Sequence, residues 1–500
     1  MTLEHTASEP SVGRVRTGIP GLDDVLSGGL PKNRLHLVVG APGTGKTTLG
    51  LQFLIEGARR GEHVLLVALS ETSEEVMEIG RSHGWDLDGV TIHEIVPGEE
   101  SLKPAEQYTI FHPSEIELTE TIGAALEPVE KEKPSRVVID SLSELRLLAS
   151  DPLRYRHQML ALKQYFAGRS CTVLLLDNAT ERDSGLASVA HTVIDLDSLI
   201  QEFGSHRRRL RVEKMRASQF RGGYHDFDIL RGGLRVFPRL VAAEHEEDLA
   251  LGVASSGVRE LDDLLGGGLR HGTSVLLSGP SGAGKSAIAT QYAVAAAERG
   301  ERSALYLFDE RAATFMARAE ALGMDVRPHL EAGRIAVTQL DPAQISPGEL
   351  TQDARREVEQ NGTRLIVIDS LNGYLNAMAE ERAVLVQLHE LLTYLGARGA
   401  LTFLTVAQHG MLGPAMETPL DASYLADTVI LLRYFESFGL VRKAIAVMKK
   451  RTGAHEQSLR EFRLGPGIQV GQPLRDFQGV LSGVPTYMGE KELLLDRGDK

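Results

Sequence analysis

One cysteine in 500 residues is too few for an internal disulfide, so the chain does not rely on an oxidising compartment for its covalent frame. That residue, Cys171, lies in the strand-like run Cys171-Thr172-Val173-Leu174-Leu175-Leu176 and reads as a small core residue rather than a reactive thiol. Long apolar runs are missing too. No stretch approaches the length of a membrane-spanning helix, and Met1 to Pro10 is polar without an apolar centre. Neither a membrane span nor a signal peptide is therefore expected, and the expected compartment is cytoplasmic. An excess of positive charge is the third absence. The formal net charge is −14, which argues against a protein that coats nucleic acid through its overall field, although a local basic pore would escape that argument.

What is present is a phosphate loop, twice. Gly40-Ala41-Pro42-Gly43-Thr44-Gly45-Lys46-Thr47 follows the apolar run Leu35-His36-Leu37-Val38-Val39 and precedes a helical pattern through Leu49, Phe53 and Leu54. Glycines let the backbone turn tightly so that successive N–H groups face one anion, Lys46 adds a point charge for the outer phosphates, and the Thr47 hydroxyl suits Mg²⁺. Gly279-Pro280-Ser281-Gly282-Ala283-Gly284-Lys285-Ser286 repeats the spacing after Val275-Leu276-Leu277. Each loop is approached by a matching segment, Thr17-Gly18-Ile19-Pro20-Gly21-Leu22-Asp23-Asp24 with Gly28-Gly29-Leu30, and Ser256-Gly257-Val258-Arg259-Glu260-Leu261-Asp262-Asp263 with Gly267-Gly268-Leu269. A repeat this long marks a duplicated domain rather than a solenoid.

Further landmarks fall at the same interval. Arg136-Val137-Val138-Ile139-Asp140 and Leu365-Ile366-Val367-Ile368-Asp369 are apolar strands closing on an acid, which in a phosphate-loop protein belongs to the Mg²⁺ shell. The strand His63 to Leu69 ends at Ser70-Glu71, and Ser303 to Phe308 ends at Asp309-Glu310. A carboxylate there is placed to orient an attacking water, or else Glu71 opens the next helix as a first-turn acid among Thr72, Ser73, Glu74 and Glu75. Gln408, after the strand Leu401 to Val406, is a polar group able to sense a γ-phosphate. The alternation predicts an α/β fold of two tandem phosphate-loop NTPase domains, each a mostly parallel sheet flanked by helices. Short charged runs around Arg207-Arg208-Arg209, interleaved with Glu202, Glu213 and Asp226, read as antiparallel edge strands kept soluble by charge rather than a nucleic-acid patch. The expected boundaries are a disordered arm at 1–13, a first domain at 14–241, a linker at 242–253, a second domain at 254–485 and a loose tail at 486–500.

With both loops, both strand-terminal acids and both Gly-Gly-Leu approaches in view, the chain resembles the KaiC family of RecA-like ATPases and autokinases over roughly residues 14–488. The resemblance implies a homohexamer of two stacked rings with ATP and Mg²⁺ at the subunit interfaces. It implies nucleotide contacts from Gly43, Thr44, Gly45, Lys46, Thr47 and Thr48, with Asp140 and Thr47 at the metal, and from Lys214 and Arg216 of a neighbour. In the second ring the matching groups are Ser281, Gly282, Ala283, Gly284, Lys285 and Ser286, with Asp369 and Ser286 at the metal and Lys449 and Arg451 in trans. Glu71, Asp309 and Glu310 take the catalytic role. The family's Ser-Thr phosphoacceptor pair falls on Ser423 and Tyr424, where tyrosine replaces threonine and leaves Ser423 the safer acceptor. A KaiB-like or other regulatory protein is the implied partner, whereas the short segment after Ser482 speaks against dependence on a KaiA-like activator.

A RecA- or DnaB-like DNA-dependent ATPase would share this phosphate chemistry, but the segments after Asn178 and Gln408 carry Glu181, Arg182, Asp183 and Gly410, Met411, Gly413, Pro414, not a basic cluster. A nucleotide-gated scaffold is the other competitor. Lys46→Ala and Lys285→Ala separate it from an enzyme: gel filtration beside phosphate release should show an enzyme keeping its oligomer and losing turnover, and a scaffold losing the oligomer.

Overall fold

The computed structural model describes residues 13–95, 113–149, 151–178, 184–200, 204–242, 252–376, 381–408, 423–437, 439–481 and 485–489. The arm, most of the linker, most of the tail, Glu202 and the loops holding Glu181 and Gly410 lie outside these residues. Contacts divide the chain between Arg239 and Leu240, and Leu240 and Ala242 pack into the second unit's core.

Each unit is built on a nine-stranded sheet. In the first the order is Gly233–Phe237, His225–Leu230, Arg207–Met215, Thr192–Leu199, Leu35–Gly40, Thr172–Asn178, Arg136–Asp140, Val64–Ala68, Thr91–Glu94. Strands from Thr192–Leu199 through Thr91–Glu94 are parallel, and the other three extend the sheet antiparallel. The second unit repeats this order, with Ser274–Gly279 flanked by Leu401–Ala407 and Thr428–Ser437, and with Leu440–Lys450, Arg460–Gly465 and Gly467–Pro473 as the antiparallel extension. Both sheets therefore match the α/β, RecA-like plan that the alternation implies.

The parallel strands are apolar throughout because both faces are covered. Successive residues alternate between two clusters: Val64, Leu66, Val138, Leu174 and Leu176 pack on one face, and Leu65, Val67, Val137, Ile139, Val173 and Leu175 on the other. The Lys46–Arg59 helix lies on the first of these faces, burying Leu49, Phe53 and Leu54. Cys171 is buried among the second cluster, and burial pushes its thiol up to about 12, as a core residue requires.

The repeated approach segments are turn devices. Asp23 accepts from the backbone N and the hydroxyl of Thr17 at 2.9 and 2.8 Å, and Asp262 accepts from Ser256 N at 2.9 Å and Ser255 Oγ at 2.5 Å. The antiparallel extension carries the arginine run, and its charges are answered across strands: Arg208 by Asp228 at 3.3 Å, Arg209 by Asp197 at 3.0 Å and Arg211 by Asp195 at 3.0 Å. Those pairs bear out an antiparallel strand whose arginines are answered by acids, but Arg207–Met215 is third from the edge and paired on both sides, so the expected edge position is corrected: two further strands cover it.

Two buried histidines set the acid stability of the first unit. His36 Nε2 donates to Pro31 O at 2.9 Å, and burial pulls its pKa down to about 3. His225 accepts from Arg239 N at Nδ1, 2.8 Å away, and donates from Nε2 to Arg221 O; burial pulls its pKa to about 4. Below the unfolded value of about 6.5 the unfolded chain takes up protons that the fold excludes, so stability present at neutral pH is lost as pH falls toward 4. Fluorescence melts on the single tryptophan, Trp85, should show a lower Tm at about pH 5 than at about pH 7.5. A difference between about pH 5 and about pH 7.5 left unchanged by His225→Gln would contradict the role given to that ring.

Candidate nucleotide sites

In the first unit the strand Leu35–Gly40 ends on a loop whose last residue, Gly45, caps the Lys46 helix with φ of 99°, a conformation that glycine adopts without a Cβ clash. Lys46 is 7% exposed and turns its ammonium back on the loop, donating to Gly40 O at 2.8 Å and Ala41 O at 3.0 Å. Burial lowers its pKa, with Asp140 and Asp177 working against the shift. Thr44 is fastened to the same turn, its hydroxyl donating to Ala41 O at 2.8 Å, and Thr48 is buried behind the loop.

Thr47 Oγ1 donates to Asp140 Oδ2 at 2.6 Å. The two ends of the expected metal shell thus meet, although they lie far apart in sequence. Burial pushes the Asp140 carboxyl up, opposed by the Thr47 hydrogen bond and by Lys46. One hydroxyl and one carboxylate are hard oxygen donors that fit Mg²⁺, which takes its remaining ligands from phosphate oxygens and water. Among the described residues no cluster of three or more His, Cys, Asp or Glu is arranged to hold a metal by itself.

Asp177, at the end of the adjacent strand, is a further acid that the motifs did not single out. It is buried, ion-paired with Arg146, and contacted by Ser143 Oγ at 3.4 Å. Its signal was available in sequence, since Thr172 to Asn178 is another apolar strand closing on a carboxylate, but the second unit has Val406 at the matching register and the repeat does not flag it.

Glu71 stands between strand and helix. Thr72 is the helix N-cap and forms a capping box with Glu75, through Glu75 N to Thr72 Oγ1 at 3.3 Å and Thr72 N to Glu75 Oε2 at 2.7 Å. Glu74 and Glu75 are therefore the first-turn acids and Glu71 lies outside the helix, which removes the reading of it as a helix opener. Burial, then the charges of Asp140 and Glu75, push its pKa up to about 7.

The second loop is built alike with different supports. Lys285 donates to Gly279 O at 2.9 Å and Pro280 O at 2.8 Å, and burial lowers its pKa to about 8. Gly284, φ 118°, caps the helix that contains Ser286, and a Cβ there would sit 2.6 Å from Phe462. Ala283 is buried, whereas Ser281 and Gly282 form an exposed crest whose carbonyls accept from Tyr434 Oη at 3.1 Å and Lys443 Nζ at 2.9 Å. Asp369 accepts from Thr405 Oγ1 at 2.5 Å. Asp309 accepts from Ser370 Oγ, and Glu310 is held by Arg318 through Nε at 3.1 Å and Nη2 at 2.8 Å. The Asp140-Ser141 and Asp369-Ser370 peptide bonds are both cis. Gln408 N donates to Gly279 O at 3.1 Å, and its Oε1 is buried without a partner among the described residues.

The four cationic candidates sit elsewhere. Gly40, at the phosphate end of its strand, pairs with Leu196, whereas Lys214 pairs with Val193, three residues or about 10 Å back toward the amino-terminal edge. Lys214 donates to Ala187 O, and Arg216 to Ser188 O at 2.6 Å. In the second unit Lys449 donates to Ser423 O at 2.9 Å and Ala426 O at 2.7 Å, and Arg451 to Tyr424 O at 2.9 Å. A ladder irregularity precedes each pair, between Val193 and Ile194 and between Val429 and Ile430. In each unit, then, the cations grip the same short segment rather than their own phosphate loop.

Comparison with known proteins gives a family model, that of the KaiC ATPase, which matches residues 15–241 and again 254–474. Circadian clock protein KaiC3 of Synechocystis is 27% identical over 96% of this chain and 96% of its own. The circadian clock oscillator protein KaiC of Synechococcus elongatus is 27% identical over 97% of this chain and 94% of its own, and that of Parathermosynechococcus lividus 26% over 96% and 90%.

The raised pKa of Glu71 has a measurable cost in the nucleotide-free protein. A carboxyl whose folded pKa lies above its unfolded value supports the fold at low pH and loses that support as pH rises through about 7. Glu71→Gln should therefore raise the Trp85-detected Tm at about pH 8, by on the order of 2 °C after allowance for solvent screening, and leave it unchanged at about pH 5. A loss of stability at both values would contradict this charge balance.

Proposed function

The chain belongs to the KaiC family of ATPases, and on that premise we propose a double-ring homohexamer that hydrolyses ATP in its first domain and phosphorylates itself on Ser423 in its second. The observation that carries the reading is the placement of Lys214, Arg216, Lys449 and Arg451 away from their own loops, which leaves each loop to be completed by a neighbour. Lys46 and Lys285 leave the loop carbonyls for the outer phosphates of bound ATP, where each ammonium offsets phosphate charge. When bound, Mg²⁺ supplies charge neutralisation between the outer phosphates, held by Thr47 with Asp140 or by Ser286 with Asp369.

In the first domain Glu71 orients a water and accepts its proton on the carboxylate, a role that suits a base titrating near neutrality. In the second domain the exposed Ser423 is held through its carbonyl by Lys449, beside the cation that faces the neighbouring site. The role of taking the proton from that hydroxyl is assigned to Asp309 of the neighbouring subunit, the first of the two acids that follow the strand of the second site. Tyr424 is 53% exposed and stands next in the same grip, so it is the competing acceptor. The proposal extends to a cytoplasmic timing or stress-signalling role with a KaiB-like or other regulatory partner, and what supports its timing part is that the relatives are named as circadian clock proteins.

Two measurements test this. With γ-labelled ATP, label should map to Ser423 and vanish in Ser423→Ala while phosphate release continues; ATP consumed with no label on Ser423 or Tyr424 removes the kinase half. Glu71→Gln should lower phosphate release by about 10²-fold or more, and unchanged release would sink the hydrolytic role of the first domain.

A further inference from the structure

The same strand-end acid keeps opposite company in the two domains. Leu69 N donates to Asp140 O at 2.6 Å and Phe308 N to Asp369 O at 2.7 Å, which sets Glu71 and Glu310 at matching positions, each just before the N-cap of the following helix. Around Glu71 the charged neighbours are acids, Asp140 and Glu75. Around Glu310 the neighbour is Arg318, which takes both carboxylate oxygens at 3.1 and 2.8 Å. Arg318 issues from the Ala312–Ala321 helix and lies 5.3 Å from the ring centroid of Phe315, itself 1% exposed, so the guanidinium is seated against a fixed wall. At the matching place in the first domain stands Ile79, which packs on the core and offers no charge.

A carboxylate held by both oxygens in a guanidinium fork has those oxygens committed to the fork, and it resists the swing needed to meet a water. Hydrolysis needs that base: the water oxygen bonds to the γ-phosphorus, the bond from that phosphorus to the β–γ bridging oxygen breaks, and the water proton passes to the carboxylate. We propose that Arg318 is a positioning residue that restrains Glu310, so that the second site holds its triphosphate against water and keeps it for a protein hydroxyl. The inference rests on the role given above to Glu71 and extends it to the other domain.

The test uses the full-length chain carrying Glu71→Gln, so that remaining phosphate release reports the second domain. Adding Arg318→Gln should raise kcat about tenfold with KM for ATP unchanged, Arg318→Lys, which keeps the ion pair, should stay near the parent, and Arg318→Gln with Glu310→Gln should fall back to it. An unchanged or lower kcat in Arg318→Gln, or a rise that persists without the Glu310 carboxylate, overturns the role of Arg318. If Glu71→Gln alone leaves total release intact, the reading of the first domain fails instead, and the proposal falls with its premise.

Discussion

A lysine ammonium withdrawn from water must find oxygen, and the nucleotide-binding ends of both domains are arranged around that need. Lys46 and Lys285 reach it by donating to the carbonyls at the mouth of their own loops, in the same geometry and at nearly the same distances. Strand, loop and helix must then hold a fixed register, because the carbonyls come from the strand's end and the ammonium from the helix's first residue. The apolar sandwich behind each loop supplies the rigidity, and the acids Asp140 and Asp369 supply the opposing field.

Around that shared constraint the two copies have exchanged parts. The Gly-Gly-Leu approach is tied down in the first domain by Arg14, which donates to Leu26 O and Gly29 O at 2.9 Å, and in the second by Lys450, which donates to Leu265 O and to Gly268 O at 3.1 Å. The cation comes from a different strand in each copy, Arg14–Val15 in the first and Leu440–Lys450 in the second, and meets the equivalent two carbonyls. The strand-end acids differ likewise, since Asp140 is bonded by Thr47 and Asp369 by Thr405. Such swaps show that the backbone frame, rather than particular side chains, is what duplication has kept in these places.

Much of this was legible in the sequence because loop chemistry is local. Gly45, Lys46 and Thr47 act within a few residues of one another, and the strand ending at Asp140 announces itself by an apolar run closing on an acid. The sheet plan followed from the alternation of such runs. What stayed hidden was set by pairings that no motif spacing announces: Asp177 with Arg146 and the hold of Tyr434 and Lys443 on the second loop across long stretches of chain, and Glu310 with Arg318 across the strand-to-helix turn. Glu71 shows the intermediate case. Its two readings depended on where the helix begins, and Thr72 as N-cap decides the question by a hydrogen bond that spacing alone does not fix.

The hairpin of Thr428–Ser437 and Leu440–Lys450 touches its own phosphate loop through Tyr434 and Lys443, and through Lys449 it grips the segment bearing Ser423. A paired ribbon of this kind behaves as a stiff lever, one part resting on the phosphate loop and its far end on the segment bearing Ser423, so that a shift of the loop is carried along two strands to that serine's backbone.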